Sequence, residues 1–333
     1  MKKCLVWDLD NTLWDGVYLE GDVKVRPEAR QAIEKLDHRG ILHSIASRGD
    51  EKLAFEVLRK TGLWGFFLVP QINWEPKPKN IITISKELRL ALDSIVFIDD
   101  DQFELEQVAY MLPEVMTVGA DRVPELIAHP FFRAEKITPE ALLRRDFYIA
   151  EQSRQRARLD YPNREAFLKS CGMKLTLRRM VAGDLPRVLE LMSRTHQLNT
   201  VGRVLAEEEL RDRRFCVKVA ELTDRFGGYG TVGTAIVESS ASSWKLHLLA
   251  VSCRVLGRGV ERSILAALLQ EAGRSGLSRA EALYHDTGGN RAMLALYQMM
   301  GFRKRGASAQ EGTEIFSLAL DRAPATPSWI EVS

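Results

Sequence analysis

Short apolar runs alternate with amphipathic stretches through the first third of the chain. Residues 4–7, 42–46, 66–69, 95–98 and 115–118 are mostly apolar, and stretches such as 27–39 between them carry helical spacing. Runs of this length with no polar face suit strands buried on both sides, so the alternation predicts a parallel sheet with crossover helices. Residues 138–170 are charged and helical in pattern, which reads as a connector. Beyond it, strand patterns at 174–178, 215–221, 232–238 and 244–251 follow one another before two helices, predicting a mixed α/β domain. The expected division is 1–132, a connector over 133–172, a second domain over 173–320, and a tail over 321–333 that is loose from residue 324.

A chain of 333 residues supports two cores, and 45% hydrophobic with 28% charged residues is the composition of a globular protein. The formal net charge of +2 has no basic tract behind it, so no nucleic-acid partner is expected. No apolar run reaches the roughly 20 residues of a membrane span, and the amino terminus enters a strand at once, so a cytoplasmic protein is expected. Cys4, Cys171, Cys216 and Cys253 lack metal or disulfide-framework spacing.

Chemistry enters where the strands end. The first runs into Asp8-Leu9-Asp10-Asn11-Thr12, placing two like-oriented carboxylates at the carboxyl end of a parallel strand, where open α/β sheets bind ligands. One carboxylate can attack phosphorus while the other shuttles a proton. Later strands add Ser47 and the pair Asp99-Asp100, and Lys77 follows a Trp-Glu-Pro turn. Together they supply a hydroxyl, a fixed cation and carboxylates for Mg²⁺, the set that phosphoryl chemistry requires. Lys79 is the alternative to Lys77, as Asp100 is to Asp99.

These motifs resemble, in order, the four motifs of the haloacid dehalogenase superfamily. The resemblance implies a Rossmann-like domain over 1–132 with Asp8 as nucleophile and Asp10 as general acid/base. It further implies phosphate contacts from Asp8, Thr12, Ser47 and Lys77, and Mg²⁺ held by Asp8, the Asp10 carbonyl, Asp99 and Asp100. Only 14 residues separate Thr12 from the helix at Pro27, enough for a small hairpin flap over 14–22 and not for a cap domain. An uncapped mouth admits a large partner.

In the second half, residues 246–251 lead into Ser252-Cys253-Arg254-Val255-Leu256-Gly257-Arg258-Gly259-Val260 and a helix. Glycines at such a junction let helix-start N–H groups approach a pyrophosphate. The string resembles the acyl-coenzyme A loop of the GCN5-related N-acetyltransferases, which implies pantetheine contacts from Arg254, Gly257, Gly259, Asn290 and Tyr297, the last also a candidate acid for a leaving thiolate. Gln197, Asn199 and His285 are candidates for the acyl chain or acceptor.

The order of the two domains, with the strings from Cys4 to Trp14, Asp224 to Gly227 and Ser252 to Glu261, resembles the FkbH-like family of polyketide pathways over residues 3–318. That resemblance implies removal of phosphate from 1,3-bisphosphoglycerate and loading of the glyceryl unit on the phosphopantetheine thiol of an acyl carrier protein. Cys253, at a strand end beside Arg254, is the candidate acyl carrier. Cys4 lies roughly 13 Å back along its strand and reads as core. Two other readings are a phosphatase fused to a coenzyme A-dependent N-acetyltransferase of a small amine, and a phosphatase with a non-catalytic carrier-docking domain. The chain departs from the FkbH-like pattern at Asp101-Gln102, where Asn-Pro is usual, and at Asp286, where Pro is usual. Both departures bear on substrate choice.

Overall fold

The computed structural model describes residues 2–132, 139–240, 242–309, 311–322 and 325–333, so the expected connector's first residues, 133–138, and residue 324 lie outside the described residues. The chain forms two compact units, Met1–Ile149 and Ala150–Ser333.

In the first unit, β1 (Cys4–Trp7) is buried at every residue, and its side chains alternate between two cores. Leu5 and Trp7 join Ile45 and Ile98 in one core, whereas Cys4 and Val6 join Ala46 and Phe97 in the other. That two-faced burial makes β1 the central strand. The remaining elements are β2 (Trp14–Asp15), β3 (Lys24–Val25), α1 (Pro27–Asp37), β4 (Leu42–Ser47), α2 (Glu51–Lys60), β5 (Gln71–Ile72), α3 (Lys77–Leu88), β6 (Ile95–Asp99), α4 (Gln102–Met111), β7 (Met116–Gly119), α5 (Val123–Leu126) and α6 (Pro139–Leu142). Five strands form a parallel sheet in the order β5-β4-β1-β6-β7. The expected flap is the two-stranded hairpin β2-β3, and it is the one strand pair between β1 and α1.

The strand expected over 66–69 is displaced. Residues Trp64–Phe66 form a 3₁₀ turn, Phe67 makes only an isolated bridge with His43, Val69 takes a φ of 50°, and Pro70 follows, so a continuous strand resumes only at β5. A β-branched residue in the left-handed region breaks the ladder.

His43, on β4, accepts a hydrogen bond at Nδ1 from Trp7 Nε1 at 3.1 Å, and burial drops its pKa from 6.5 to about 3. The native state therefore holds it neutral while the unfolded chain takes up a proton. Its contribution to stability is full above pH 6.5 and is lost as pH falls toward about 3. Urea midpoints of wild type and His43→Gln across this range are expected to converge toward low pH.

The second unit begins within α7 (Arg144–Arg158) and continues through α8 (Arg164–Ser170), β8 (Met173–Arg179), α9 (Leu185–Arg194), α10 (Glu207–Leu210), β9 (Phe215–Asp224), β10 (Gly227–Ser239), β11 (Trp244–Val251), α11 (Val260–Arg274), β12 (Arg279–His285), α12 (Arg291–Met299), β13 (Arg303–Ala307), β14 (Thr313–Ala319) and β15 (Ile330–Val332). Its eight strands run β13-β14-β12-β11-β10-β9-β8-β15. One face packs against α11 and α12, the other against α9. The fold class is thus a parallel α/β domain without a large cap among the described residues, followed by a mixed α/β domain.

Two expectations need correction. The residues assigned to the end of the connector belong to the second unit, because Phe167 and Leu168 of α8 are buried in its core. Nor is the tail loose: β15 pairs in parallel with β8, Ile330 opposite Met173 and Val332 opposite Leu175. The alternating Ile-Glu-Val covers the otherwise open edge of β8.

Candidate functional site

The parallel register sets the carboxyl ends of β1, β4 and β6 side by side, bringing Asp8, Ser47 and Asp99 together. All three are buried. Lys77, the first residue of α3, is buried as well; its ammonium donates to Asp8 Oδ1 and, at 2.7 Å, to Asp99 Oδ2. Lys79 instead stands in solvent paired with Glu75, so of the two candidate lysines only Lys77 reaches Asp8. The Ser47 hydroxyl also hydrogen-bonds Asp8.

Electrostatics in this cluster are lopsided. Burial raises the Asp8 carboxyl to about 7, with Lys77 opposing and the Asp99 charge adding to the rise. Asp99 is raised for the same reason, again against Lys77. Burial pulls Lys77 down, but Asp8 and Asp99 more than offset it, and the ammonium stays charged. One cation thus faces three carboxylates, since ligand oxygens of Asp8, Asp99 and Asp100 all lie within 4.8 Å of one another. An all-oxygen, acid-rich set with a deficit of positive charge fits Mg²⁺. Those three residues would hold it, and it would neutralise charge on a phosphoryl oxygen when bound.

Asp10 lies outside this carboxylate cluster. Its Oδ1 accepts from Trp14 Nε1 at 2.7 Å and from the Tyr18 N–H at 3.1 Å, both on the hairpin flap. Tyr18 is in turn anchored by its hydroxyl on the Asp50 carbonyl, 3.1 Å away. Trp14 and Tyr18 were not singled out from sequence, although the tryptophan's place four residues past Asp10 was a readable signal. The buried Thr12 hydroxyl donates to Asp100 Oδ1 at 3.0 Å and orients that carboxylate. Asp101 caps α4, accepting from the Phe103 N–H at 2.9 Å, while its own N–H donates to Asp99 Oδ1 at 3.0 Å.

In the second unit, β11 and β12 pair only at Lys245 with Glu281 and Leu246 with Ala282, then splay apart. Residues 198–200 fill the splay. The Val251 N–H donates to the Leu198 carbonyl at 2.8 Å, the Thr200 N–H to the Leu249 carbonyl at 3.0 Å, and the Leu249 N–H to Thr200 Oγ1 at 3.0 Å. On the far side the His285 N–H donates to the Thr200 carbonyl at 3.0 Å.

Three expected ligand residues have their polar atoms engaged by the protein itself. Asn199 is fully buried, and its Oδ1 accepts from the N–H groups of Val201 and Gly202 at 3.1 and 2.9 Å, so it shapes the strap. Asn290 donates to the carbonyls of Asn199 and His285, each at 2.9 Å, and accepts from the Tyr284 hydroxyl and the Thr287 N–H, each at 3.1 Å. Its amide is thus taken up in holding the strap, and none is left for pantetheine. Tyr297 is core: fully buried beside Phe302 and Phe316, it donates to the Leu283 carbonyl at 3.1 Å, and burial pushes its hydroxyl far up. Replacing Asn290 by Ala strands several buried polar groups and is expected to cost about 2–3 kcal/mol, read from chemical denaturation.

The other candidates are accessible or on the loop. Gln197 is exposed, and His285 is half-buried at the end of β12. Cys253 is exposed in the 3₁₀ turn Cys253–Val255, whereas Cys4 is fully buried and its thiol pushed far up by burial. Arg254 folds back on Ser252 Oγ, its Nε 3.4 Å away. Gly257 and Gly259 have φ of 74° and 83°, the backbone that brings the chain into α11.

No protein-family model matches the chain, and no curated protein matches it. Among solved structures, it is similar to the N-terminal part of the protein BF1531 from Bacteroides fragilis, which contains a phosphatase domain and was solved complexed with Mg, at 32% identity and a TM-score of 0.34. That likeness covers 35% of this chain and 35% of the other, so the chain spans about a third of that relative's length. It is also similar to the ribosomal-protein-S18-alanine N-acetyltransferase of Escherichia coli, at 19% identity and a TM-score of 0.35, over 46% of this chain and 97% of that one. A spermidine N-acetyltransferase from Vibrio cholerae, solved with CoA and spermine, is similar at 16% identity and a TM-score of 0.36, over 44% of this chain and 96% of the other.

Proposed function

We propose that the chain is an FkbH-like enzyme that dephosphorylates 1,3-bisphosphoglycerate and loads the glyceryl unit on the phosphopantetheine thiol of an acyl carrier protein. The observation carrying this reading is the buried Asp8–Lys77–Asp99 cluster at an uncapped strand end. Asp8 attacks the C3 phosphate at phosphorus, and the bond to the C3 oxygen breaks as Asp10 delivers a proton to that oxygen, leaving the C1 acyl phosphate intact for acyl transfer. Water then cleaves the aspartyl phosphate, and Lys77 and the Ser47 hydroxyl hold the phosphoryl oxygens throughout. Mg²⁺ bound by Asp8, Asp99 and Asp100 would supply the remaining positive charge.

The acyl phosphate is already activated, so acyl transfer needs only a positioned thiolate. The Cys253 sulfur attacks the carbonyl carbon, phosphate leaves, and the carrier thiol exchanges with the resulting thioester. Exposure of Cys253 supports this role for it among the four cysteines. Intact mass spectrometry of the enzyme with a holo carrier protein, Mg²⁺ and 1,3-bisphosphoglycerate is expected to show a glyceryl increment on the carrier. Cys253→Ala is expected to remove it; full loading by that variant would rule out a covalent relay at this position.

A further inference from the structure

An acetyltransferase-type fold takes coenzyme A at two places, a strand-to-helix glycine loop for the diphosphate and a splay between two strands for the pantetheine. Side chains and backbone of this chain already occupy both. At the loop, the first turn of α11 carries Glu261, whose carboxylate folds back on its own N–H while Oε2 lies buried without a hydrogen-bond partner. A helix start that binds a diphosphate must offer free N–H groups and positive potential. Here it offers a carboxylate.

The loop is also covered. Arg164 of α8 donates to the Gly257 carbonyl, and its charge acts on Glu261. Trp329 Nε1 donates to the Arg258 carbonyl at 2.8 Å, and Arg258 is paired with Glu151 at 2.8 Å. Pro327 and Trp329 stand so close to Gly259 that a Cβ there would meet them at 3.3 and 3.5 Å. The Nη2 of Arg258, the arginine between the two glycines, is thereby held by Glu151, and the tail shields the backbone a diphosphate would approach.

At the splay, pantetheine amides would pair with the edge of β11. The N–H groups of Leu249 and Val251 on that edge already donate to the strap at residues 198–200, and Leu198, Asn199 and Thr200 are all buried. Asn290 clamps the strap from α12, donating to the Asn199 carbonyl. Opening the splay would break these bonds together and expose an apolar strand edge.

We infer that the second unit is closed to coenzyme A, its diphosphate loop covered by Arg164, Glu261 and Trp329 and its pantetheine splay filled by residues 198–200. The fold is kept, and the cofactor it usually serves is excluded. This inference does not rest on glyceryl transfer, because a carrier-borne arm meeting the exposed Cys253 from solvent needs neither the loop nor the splay.

Isothermal titration of the full chain with acetyl-coenzyme A, paired with amide hydrogen exchange, tests it. No saturable heat up to about 1 mM ligand is expected, with protection of the Leu249 and Val251 amides unchanged. Saturable binding within that range overturns the inference. The carrier-loading assay is read separately: a carrier that stays unloaded counts against the proposed function and leaves the titration result standing.

Discussion

Asp8→Asn is expected to lower kcat for phosphate release by about 10³-fold or more, measured as inorganic phosphate from a phosphomonoester at saturating Mg²⁺. The amide keeps the shape of the side chain and removes both the proposed nucleophilic oxygen and one carboxylate of the proposed cation site. Folding is not expected to suffer. Burial pushes the Asp8 carboxyl up to about 7, so its charge does not stabilise the native state. Lys77 keeps its 2.7 Å bond to Asp99 in the variant. Asp10→Asn offers the contrast, because its Oδ1 still accepts from Trp14 and Tyr18 as the amide oxygen. It loses the proton that Asp10 delivers in the proposed mechanism, and a loss of about 10²–10⁴-fold is expected, falling with leaving-group pKa. Equal losses for the two variants on a good leaving group such as p-nitrophenol would argue against the separate roles.

The first site was legible because its residues report locally. Asp8, Ser47 and Asp99 each end a run of apolar residues, and a parallel sheet must set such ends side by side. Lys77 was legible from the turn that places it at a helix start. What holds these residues was less visible. Trp14 and Tyr18 reach Asp10 from the hairpin flap, and Thr12 turns to Asp100 only because the two residues, 88 apart, meet.

The second unit was read less well for a related reason. Alternating polarity shows that a strand is buried but not which segment fills a gap between two strands. Asn199, Asn290 and Tyr297 were expected to meet ligand, yet Asn199 and Asn290 hold residues 198–200 and Tyr297 lies in the core behind them. Polar residues that satisfy a buried backbone and polar residues that meet a ligand look alike in one sequence. The tail was misjudged because its pairing partner, β8, lies more than 150 residues earlier.

The ion pair that ties α7 into the second unit should carry a large share of that unit's stability. Arg154 donates from Nε and Nη2 to the two carboxylate oxygens of Asp224 at 2.7 and 2.9 Å, with side-chain exposures of 2% and 0%. Its guanidinium also lies 3.8 Å from the centre of the Tyr229 ring and reaches the Gly227 carbonyl at 3.2 Å. Asp224 accepts in addition from the Phe226 N–H and the Tyr229 hydroxyl, at 2.9 and 2.8 Å, fixing the turn between β9 and β10. Arg154→Leu leaves that carboxylate buried without its counter-charge, which costs about 3–5 kcal/mol. For a unit of this size the loss corresponds to a drop of roughly 10 °C in its calorimetric transition, with the transition of the first unit unmoved. Replacing both partners, Arg154→Leu with Asp224→Leu, removes the stranded charge and is expected to recover part of the loss. A single-variant drop below about 3 °C would mean that water reaches Asp224 once the arginine is gone.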